Sequence, residues 1–233
     1  MVAKYQQILH TLSSRIDAMS PGDALPSEEE LSKEFGVSPM TTRRALTILL
    51  DAKRIVGIRG KGTFVAQRPL TRTMTLMSFS EAMRSHGRVS RSQVLSMSMG
   101  PADTDAATAL EIDEGAHIYS IRRLRFGDDV PIGVDETALP ESQFPGLLGH
   151  DLTGSLYTVL REQYGVAIER ATSRISAVIP DAETVDLLQL GDGTPCLAVR
   201  ATAKDERGVI VESTHSLYRG DLYDLTVDHQ REG

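Results

Sequence analysis

The sequence predicts an α+β protein in two parts: a helical N-terminal part closed by a small β-hairpin, and a larger part built on an antiparallel sheet with helices. Three observations carry this. In the first 66 residues, apolar side chains recur at three- and four-residue steps. In the remainder, alternating runs are joined by short turn-forming stretches, as in hairpins. The charge is divided at the same place. Residues 1–68 hold 10 basic and 7 acidic residues, whereas the rest hold 15 and 25, so the whole chain averages to −7.

The elements follow in order. Tyr5, Ile8, Leu9, Leu12, Ile16 and Met19 lie on one face of a helix over residues 4–19, which Pro21-Gly22 ends. Ser27 and Glu30 have capping-box spacing, so the hydroxyl can bond a free backbone N–H while the carboxylate reaches back. They open a helix over 28–35, and Gly36 suits the positive-φ turn beyond it. Ser38 is expected to cap a third helix with Pro39 at its first position. That helix runs to about Ala52 and is expected to bury Ala45, Leu46, Leu49 and Leu50. Ile55–Ile58 and Thr63–Ala66 are expected strands around the tip Arg59-Gly60-Lys61-Gly62. Residues 68–75 contain a proline and no apolar period, which predicts a linker between domains at 1–67 and 76–233. In the second domain, strands are expected at 94–99, 116–126, 130–138, 167–179, 197–204 and 209–217. Turns fall at Gly127-Asp128-Asp129 and Asp205-Glu206-Arg207-Gly208, and helices at 79–86, 103–110, 154–163 and 181–188.

Composition excludes several classes. No apolar run approaches the roughly 18 residues that a membrane helix needs, and MVAKYQQILH has no secretory-signal pattern. The single cysteine, Cys196, forms no internal disulfide, and a cytoplasmic setting is expected. No glycine-rich phosphate loop follows a strand, so no nucleotide cofactor is expected. The six histidines (His10, His86, His117, His150, His215, His229) lack metal-ligand spacing, so no metal is expected.

Two short helices joined by a tight glycine turn have the form of a helix-turn-helix. Its second helix places its N-terminal residues against base edges in the major groove. Those residues are Ser38, Met40, Thr41, Thr42, Arg43 and Arg44. The hairpin tip adds Arg59 and Lys61 at the backbone or minor groove. Arg43 and Arg44 alone read equally well as one solvated helix face. The conjunction of cap, turn, basic helix and basic tip favours operator DNA.

Leu25-Pro26-Ser27-Glu28, Phe35-Gly36-Val37-Ser38, Thr42-Arg43-Arg44-Ala45-Leu46 and Gly60-Lys61-Gly62-Thr63-Phe64-Val65 resemble the GntR-family winged helix over residues 4–66. The resemblance implies a DNA-binding homodimer reading a pseudo-palindrome. Glu29 and Pro39 depart from it, standing where many members carry Arg.

Residues 74–225 resemble the UTRA domain of the HutC subfamily. The matching pieces are Ser78-Phe79-Ser80-Glu81-Ala82-Met83, Ile121-Arg122-Arg123-Leu124-Arg125, Asp129-Val130-Pro131-Ile132, Leu139-Pro140, Ser155-Leu156-Tyr157 and Tyr218-Arg219-Gly220-Asp221-Leu222-Tyr223. The resemblance implies a chorismate lyase-like fold that senses a small molecule rather than catalyses. It is similar to regulators of N-acetylglucosamine use, which respond to amino-sugar phosphates.

The residues suit a phosphorylated sugar. Ser78 and Ser80 open a helix, where hydroxyls and backbone N–H groups favour an anion. Arg123 and Arg125, two apart on a strand, share a face and repel unless an anion or carboxylates join them. Ser155 opens another helix. Glu212 and Tyr218 enter by family position as contacts for sugar hydroxyls or an amine. Asp135 stands where the family has Glu, and Ala138 where Tyr is common, which predicts a roomier sugar end. The residues alone also allow a structural account, in which Asp128 and Asp135 pair the arginines and the serines are helix caps. No base–nucleophile pair is evident, so an enzyme is not expected.

Overall fold

The computed structural model describes residues 4–66, 70–73, 77–191 and 193–226. The chain divides into two compact units, residues 1–68 and 69–233.

The first unit contains α1 (Lys4–Asp17), α2 (Glu28–Phe35) and α3 (Pro39–Asp51), followed by the antiparallel pair β1 (Ile55–Ile58) and β2 (Gly62–Val65). Ser27 and Glu30 form the capping box: Ser27 Oγ accepts from Glu30 N at 3.3 Å, and Ser27 N donates to Glu30 Oε2 at 2.8 Å. Gly36 ends α2 at φ 61°. The three helices close on one core of Ile8, Leu12, Ile16, Leu31, Ala45, Leu46 and Leu49, sealed by Ile55 and Val65 of the hairpin. Leu50, expected in that core, is 41% exposed. Thr42, Ala45, Leu46 and Leu49 set the inward face of α3, and at about 100° per residue Leu50 falls at its edge.

The second unit is built on a six-stranded antiparallel sheet. Its strands are β4 (Ser90–Pro101), β5 (His117–Gly127), β6 (Val130–Pro140), β7 (Ile168–Val178), β8 (Cys196–Asp205) and β9 (Ile210–Arg219), in the order β4-β5-β6-β9-β8-β7. Side chains alternate between its faces. On one face, Ile121, Leu139 and Val211 pack against Leu156 and Leu160 of α6 (Leu156–Tyr164), while Ile132 and Tyr218 pack against Phe79 and Met83 of α4 (Phe79–Ser85). On the other face, Ile118 and Ile210 meet Leu110 of α5 (Thr104–Leu110), and Leu124 and Val134 meet Leu188 of α7 (Ala182–Leu188).

Part of the expected linker is a strand. β3 (Leu70–Thr73) pairs in parallel with β10 (Tyr223–Thr226), Leu70 opposite Tyr223. A four-residue polar strand has no period of its own, and its partner lies at the far end of the sequence. No local pattern could reveal it. The strand therefore belongs with the second unit, and the connection between the units does not span all of residues 68–75.

Candidate DNA-reading helix and effector cavity

In the first unit, the residues expected to read DNA differ in exposure and in partners. Met40 is 81% exposed on the first turn of α3, with Thr41 beside it. Arg43 and Arg44 are exposed but engaged. Arg43 forks onto Glu28 through Nε at 3.0 Å and Nη2 at 2.8 Å, and the Arg44 guanidinium stacks 4.1 Å from the centre of the Tyr5 ring. Thr42 is fully buried, which corrects its assignment as a base-reading residue. It precedes Ala45, Leu46 and Leu49 by three, four and seven positions, so it shares their inward face. Its Oγ1 lies 2.9 Å from Ser32 Oγ, tying α3 to α2. Ser38 occupies the N-cap position of α3 but makes no side-chain cap, since its Oγ lies 3.0 Å from Thr41 Oγ1 instead. Arg59 and Lys61 are exposed at the tip, where Gly60 and Gly62 adopt positive φ of 77° and 118°. At the departure from the family pattern, Glu29 pairs with Lys33 one turn on.

In the second unit, Ser78, Ser80, Arg123, Arg125, Asp135, Ser155, Glu212 and Tyr218 all line one cavity of about 380 Å³. It lies on the sheet face that carries α4 and α6. Register explains the convergence: Arg123 sits opposite Asp135, and Asp135 opposite Ser216. Arg123 and Arg125 therefore point to one face beside a single carboxylate. Asp135 accepts from Arg123 Nε and Nη2, both at 3.3 Å, and from Arg125 Nε at 2.8 Å. Arg125 Nη1 also donates to Ser92 Oγ at 2.6 Å, and its guanidinium lies 5.0 Å from the Phe79 ring centre. Asp128, the other suggested partner, accepts from Val89 N and faces Arg88.

The group is deeply buried. Arg123 is 2% exposed, and burial, with Arg125 beside it, lowers its pKa. Arginine still stays protonated in proteins. Two guanidiniums share Asp135, and Arg123 Nη1 is buried with no hydrogen-bond partner among the described residues. Glu212, also buried, accepts from Thr214 Oγ1 at 2.8 Å and from Tyr157 OH at 3.2 Å. Burial pushes its pKa above the ordinary 4.5, against those hydrogen bonds and Arg123.

Ser78 and Ser155 serve as caps. Ser78 forms a capping box with Glu81, whose Oε2 accepts the Ser78 backbone N–H at 2.8 Å. A carboxylate of the chain thus already occupies the end of α4 that was expected to hold an anion. Ser155 Oγ accepts from Thr158 N at 3.3 Å. Both still face the cavity, as does Ser80. Tyr218 lies flat because Gly133 is opposite it: a Cβ there would stand 2.6 Å from Tyr218 Cδ1. The ring stacks on Tyr223 at 4.1 Å and 8°. Ala138 lies on the opposite sheet face, toward α5, so its departure from the family pattern does not enlarge this cavity.

Sequence reasoning missed Ser92, Tyr157 and Thr214. Thr214 follows Glu212 by two on a strand, so the period placed it on the same face. Ser92 had no such signal, because only its register opposite Arg125 brings it in.

Comparison with known proteins decides the family. The model of bacterial regulatory proteins of the gntR family matches residues 4–65, and the UTRA domain model matches residues 85–224. The chain belongs to the GntR family. This GntR regulator is 32% identical over 226 residues to the HTH-type transcriptional repressor PhnF of Mycolicibacterium smegmatis, covering 97% of this chain and 92% of that one. It is 29% identical over 231 residues to the mannosyl-D-glycerate transport/metabolism system repressor MngR of Escherichia coli, covering 98% and 96%. The crystal structure of PhnF from Mycobacterium smegmatis superposes with a TM-score of 0.73 at 31% identity, covering 96% of this chain and 99% of that one. Such relatives are transcriptional regulators, and the chain is a DNA-binding regulator with a UTRA domain rather than an enzyme. No helix among the described residues is long and apolar enough to cross a membrane.

Proposed function

We propose that this GntR regulator is a cytoplasmic, homodimeric repressor of operator DNA, and that a small phosphorylated sugar, an amino-sugar phosphate first among them, gates it from the cavity of the second unit. One observation carries the reading: eight residues expected from their chemistry or their family position line a single cavity around a buried guanidinium pair. Two arginines share one aspartate, leaving a positive excess wherever Glu212 keeps its proton. The buried Arg123 Nη1 donor lacks a partner, and an unsatisfied buried donor costs about 1–3 kcal/mol. An anionic oxygen that reaches it recovers that cost. Arg123, Arg125 and Ser80 hold the phosphate, with Ser78 and Ser155 at its margin. Glu212 and Tyr218 take the polar ring, and Asp135 orients the arginines. MngR is named for mannosyl-D-glycerate, a sugar joined to an acid, which fits this pairing of groups.

Gating is a population shift. The effector binds best to a conformation in which the two winged helices of a dimer are wrongly spaced for successive major grooves. A hundredfold loss of operator affinity requires a differential of about 2.7 kcal/mol.

The test is thermal unfolding with a panel of glucosamine-6-phosphate, N-acetylglucosamine-6-phosphate, other sugar phosphates, urocanate and inorganic phosphate. A native-state ligand at a hundredfold excess over Kd adds about 2.7 kcal/mol of stability. A shift with a sugar phosphate, lost in the Arg123→Ala/Arg125→Ala double variant, supports the reading. A shift with urocanate alone moves the effector class to organic acids. A sugar-phosphate shift that survives in the double variant overturns the site.

A further inference from the structure

We infer that Met40 is a specificity-determining residue that reads the C5-methyl group of a thymine in the operator half-site. The inference rests on the DNA-binding role of the GntR family and adds what this chain's own recognition helix does with it.

The first turns of α3 contain few groups able to read a base edge. Thr42 is buried against Ser32. Arg43 forks onto Glu28, and Arg44 stacks over Tyr5. Ser38 and Thr41 lie hydroxyl to hydroxyl at 3.0 Å. Pro39, at the first helical position, has neither a side-chain donor nor a backbone N–H. Met40 follows it at 81% exposure, above every other large apolar side chain among the described residues. A single exposed apolar residue is ordinary on a protein surface. Its position is not: the N-terminal residues of the second helix of a helix-turn-helix meet base edges.

In the major groove, the thymine methyl is the apolar feature that distinguishes one base edge from the others. An unbranched thioether has no strong donor or acceptor to satisfy there, and its flexible chain adapts to a small convex group. The anchored neighbours sharpen the assignment. Arg43 is tethered to Glu28 at the helix pair and suits phosphate contact, which positions the helix without reading sequence. Met40 is then the apolar reader at the helix tip.

The experiment selects an operator from random duplexes with the full chain, then replaces each thymine of the selected half-site with uracil, which removes only the methyl group. Wild type is expected to lose about fourfold in affinity per half-site at one such position, the factor for one buried methyl group. Met40→Ala is expected to bind the thymine and uracil duplexes equally, and Met40→Leu to keep the thymine preference. Because the side chain is exposed, the melting temperature of Met40→Ala should match wild type, which separates reading from folding. A selected operator whose uracil substitutions never distinguish wild type from Met40→Ala overturns the methyl reading and leaves DNA binding intact. Failure to enrich any duplex overturns the DNA-binding role for this chain, and the inference with it.

Discussion

The two units handle arginine in opposite ways. In the first, Arg43 is exposed and holds Glu28 across the surface of the helix pair, with side-chain exposures of 71% and 30%. In the second, Arg123 and Arg125 hold Asp135 with all three side chains at 7% exposure or less. Exposed pairs are weak, screened by salt and easily exchanged for a phosphate. Buried pairs are costly to assemble and costlier to break. The first unit thus keeps these cations exchangeable, as the proposed DNA contact requires, whereas the second keeps Arg123 and Arg125 fixed on Asp135.

The sharpest way to break this contrast is to remove one arginine from each unit. Arg123→Ala leaves a cavity and removes two hydrogen bonds to Asp135, which Arg125 still pairs at 2.8 Å. It should cost about 2–3 kcal/mol, below the range for stranding a buried charge with no partner. Urea unfolding of the full chain measures it. Arg43→Ala should leave the unfolding midpoint unchanged within error while weakening operator binding. Equal loss of stability from both substitutions would abolish the distinction between the units.

A smaller effect tests the exchangeable side of the comparison. Arg59→Ala with Lys61→Ala removes two exposed cations from the hairpin tip. Each phosphate contact contributes about −0.9 to the slope of log affinity against log salt. The double variant should flatten that slope by about 1.8 for each tip that touches DNA, with no change in melting temperature. A slope unchanged in the variant would remove the tip from the interface.

Legibility divided along a similar line, between what is local and what is distant. The capping box at Ser27 and Glu30, the glycine stop at Gly36 and the period-two placement of Arg123 with Arg125 are properties of a few adjacent residues. Each stands in the structure as the sequence implies. Thr42 lies in the first turns of the recognition helix, which marked it for base reading, whereas a helix buries every third or fourth residue of such a stretch. Its spacing from Ala45, Leu46 and Leu49 puts it on the buried face. The β3–β10 pair and the bond from Arg125 to Ser92 depend on partners far along the chain, and no local pattern encodes them. The serines show a third case. Residue type placed Ser78 and Ser155 at helix starts; the Ser78–Glu81 spacing repeats that of Ser27–Glu30, so its engaged cap was legible, whereas the cap of Ser155 on Thr158 N carries no such spacing signal.

Thr42→Val tests the corrected role directly. The substitution keeps the shape but removes a buried hydroxyl that lies 2.9 Å from Ser32 Oγ. It should lower the stability of the full chain by about 1 kcal/mol, the net worth of one hydrogen bond. The sequence preference of the operator should not change. A base-reading Thr42 would give the reverse, an altered preference at one operator position with unchanged stability.

The smallest expected effect lies at Glu212, where the cavity's own charge is variable. Burial raises its pKa, so the folded protein holds the proton more tightly than the unfolded chain does. Protonation therefore stabilises the fold fully below the ordinary value of 4.5, and that contribution is lost as pH rises through the folded value. Glu212→Gln keeps an oxygen to accept from Tyr157 and Thr214 and cannot ionise. Its melting temperature relative to wild type should climb as pH rises above 4.5 towards the raised folded value. The same carboxylate opposes an anion beside Arg123, so wild-type affinity for a sugar phosphate should weaken over that rise more than the affinity of Glu212→Gln does. A stability difference independent of pH would mean that Arg123 holds Glu212 ionised throughout. The cavity would then carry no excess positive charge, and the case for an anionic effector would rest on Arg123 Nη1 alone.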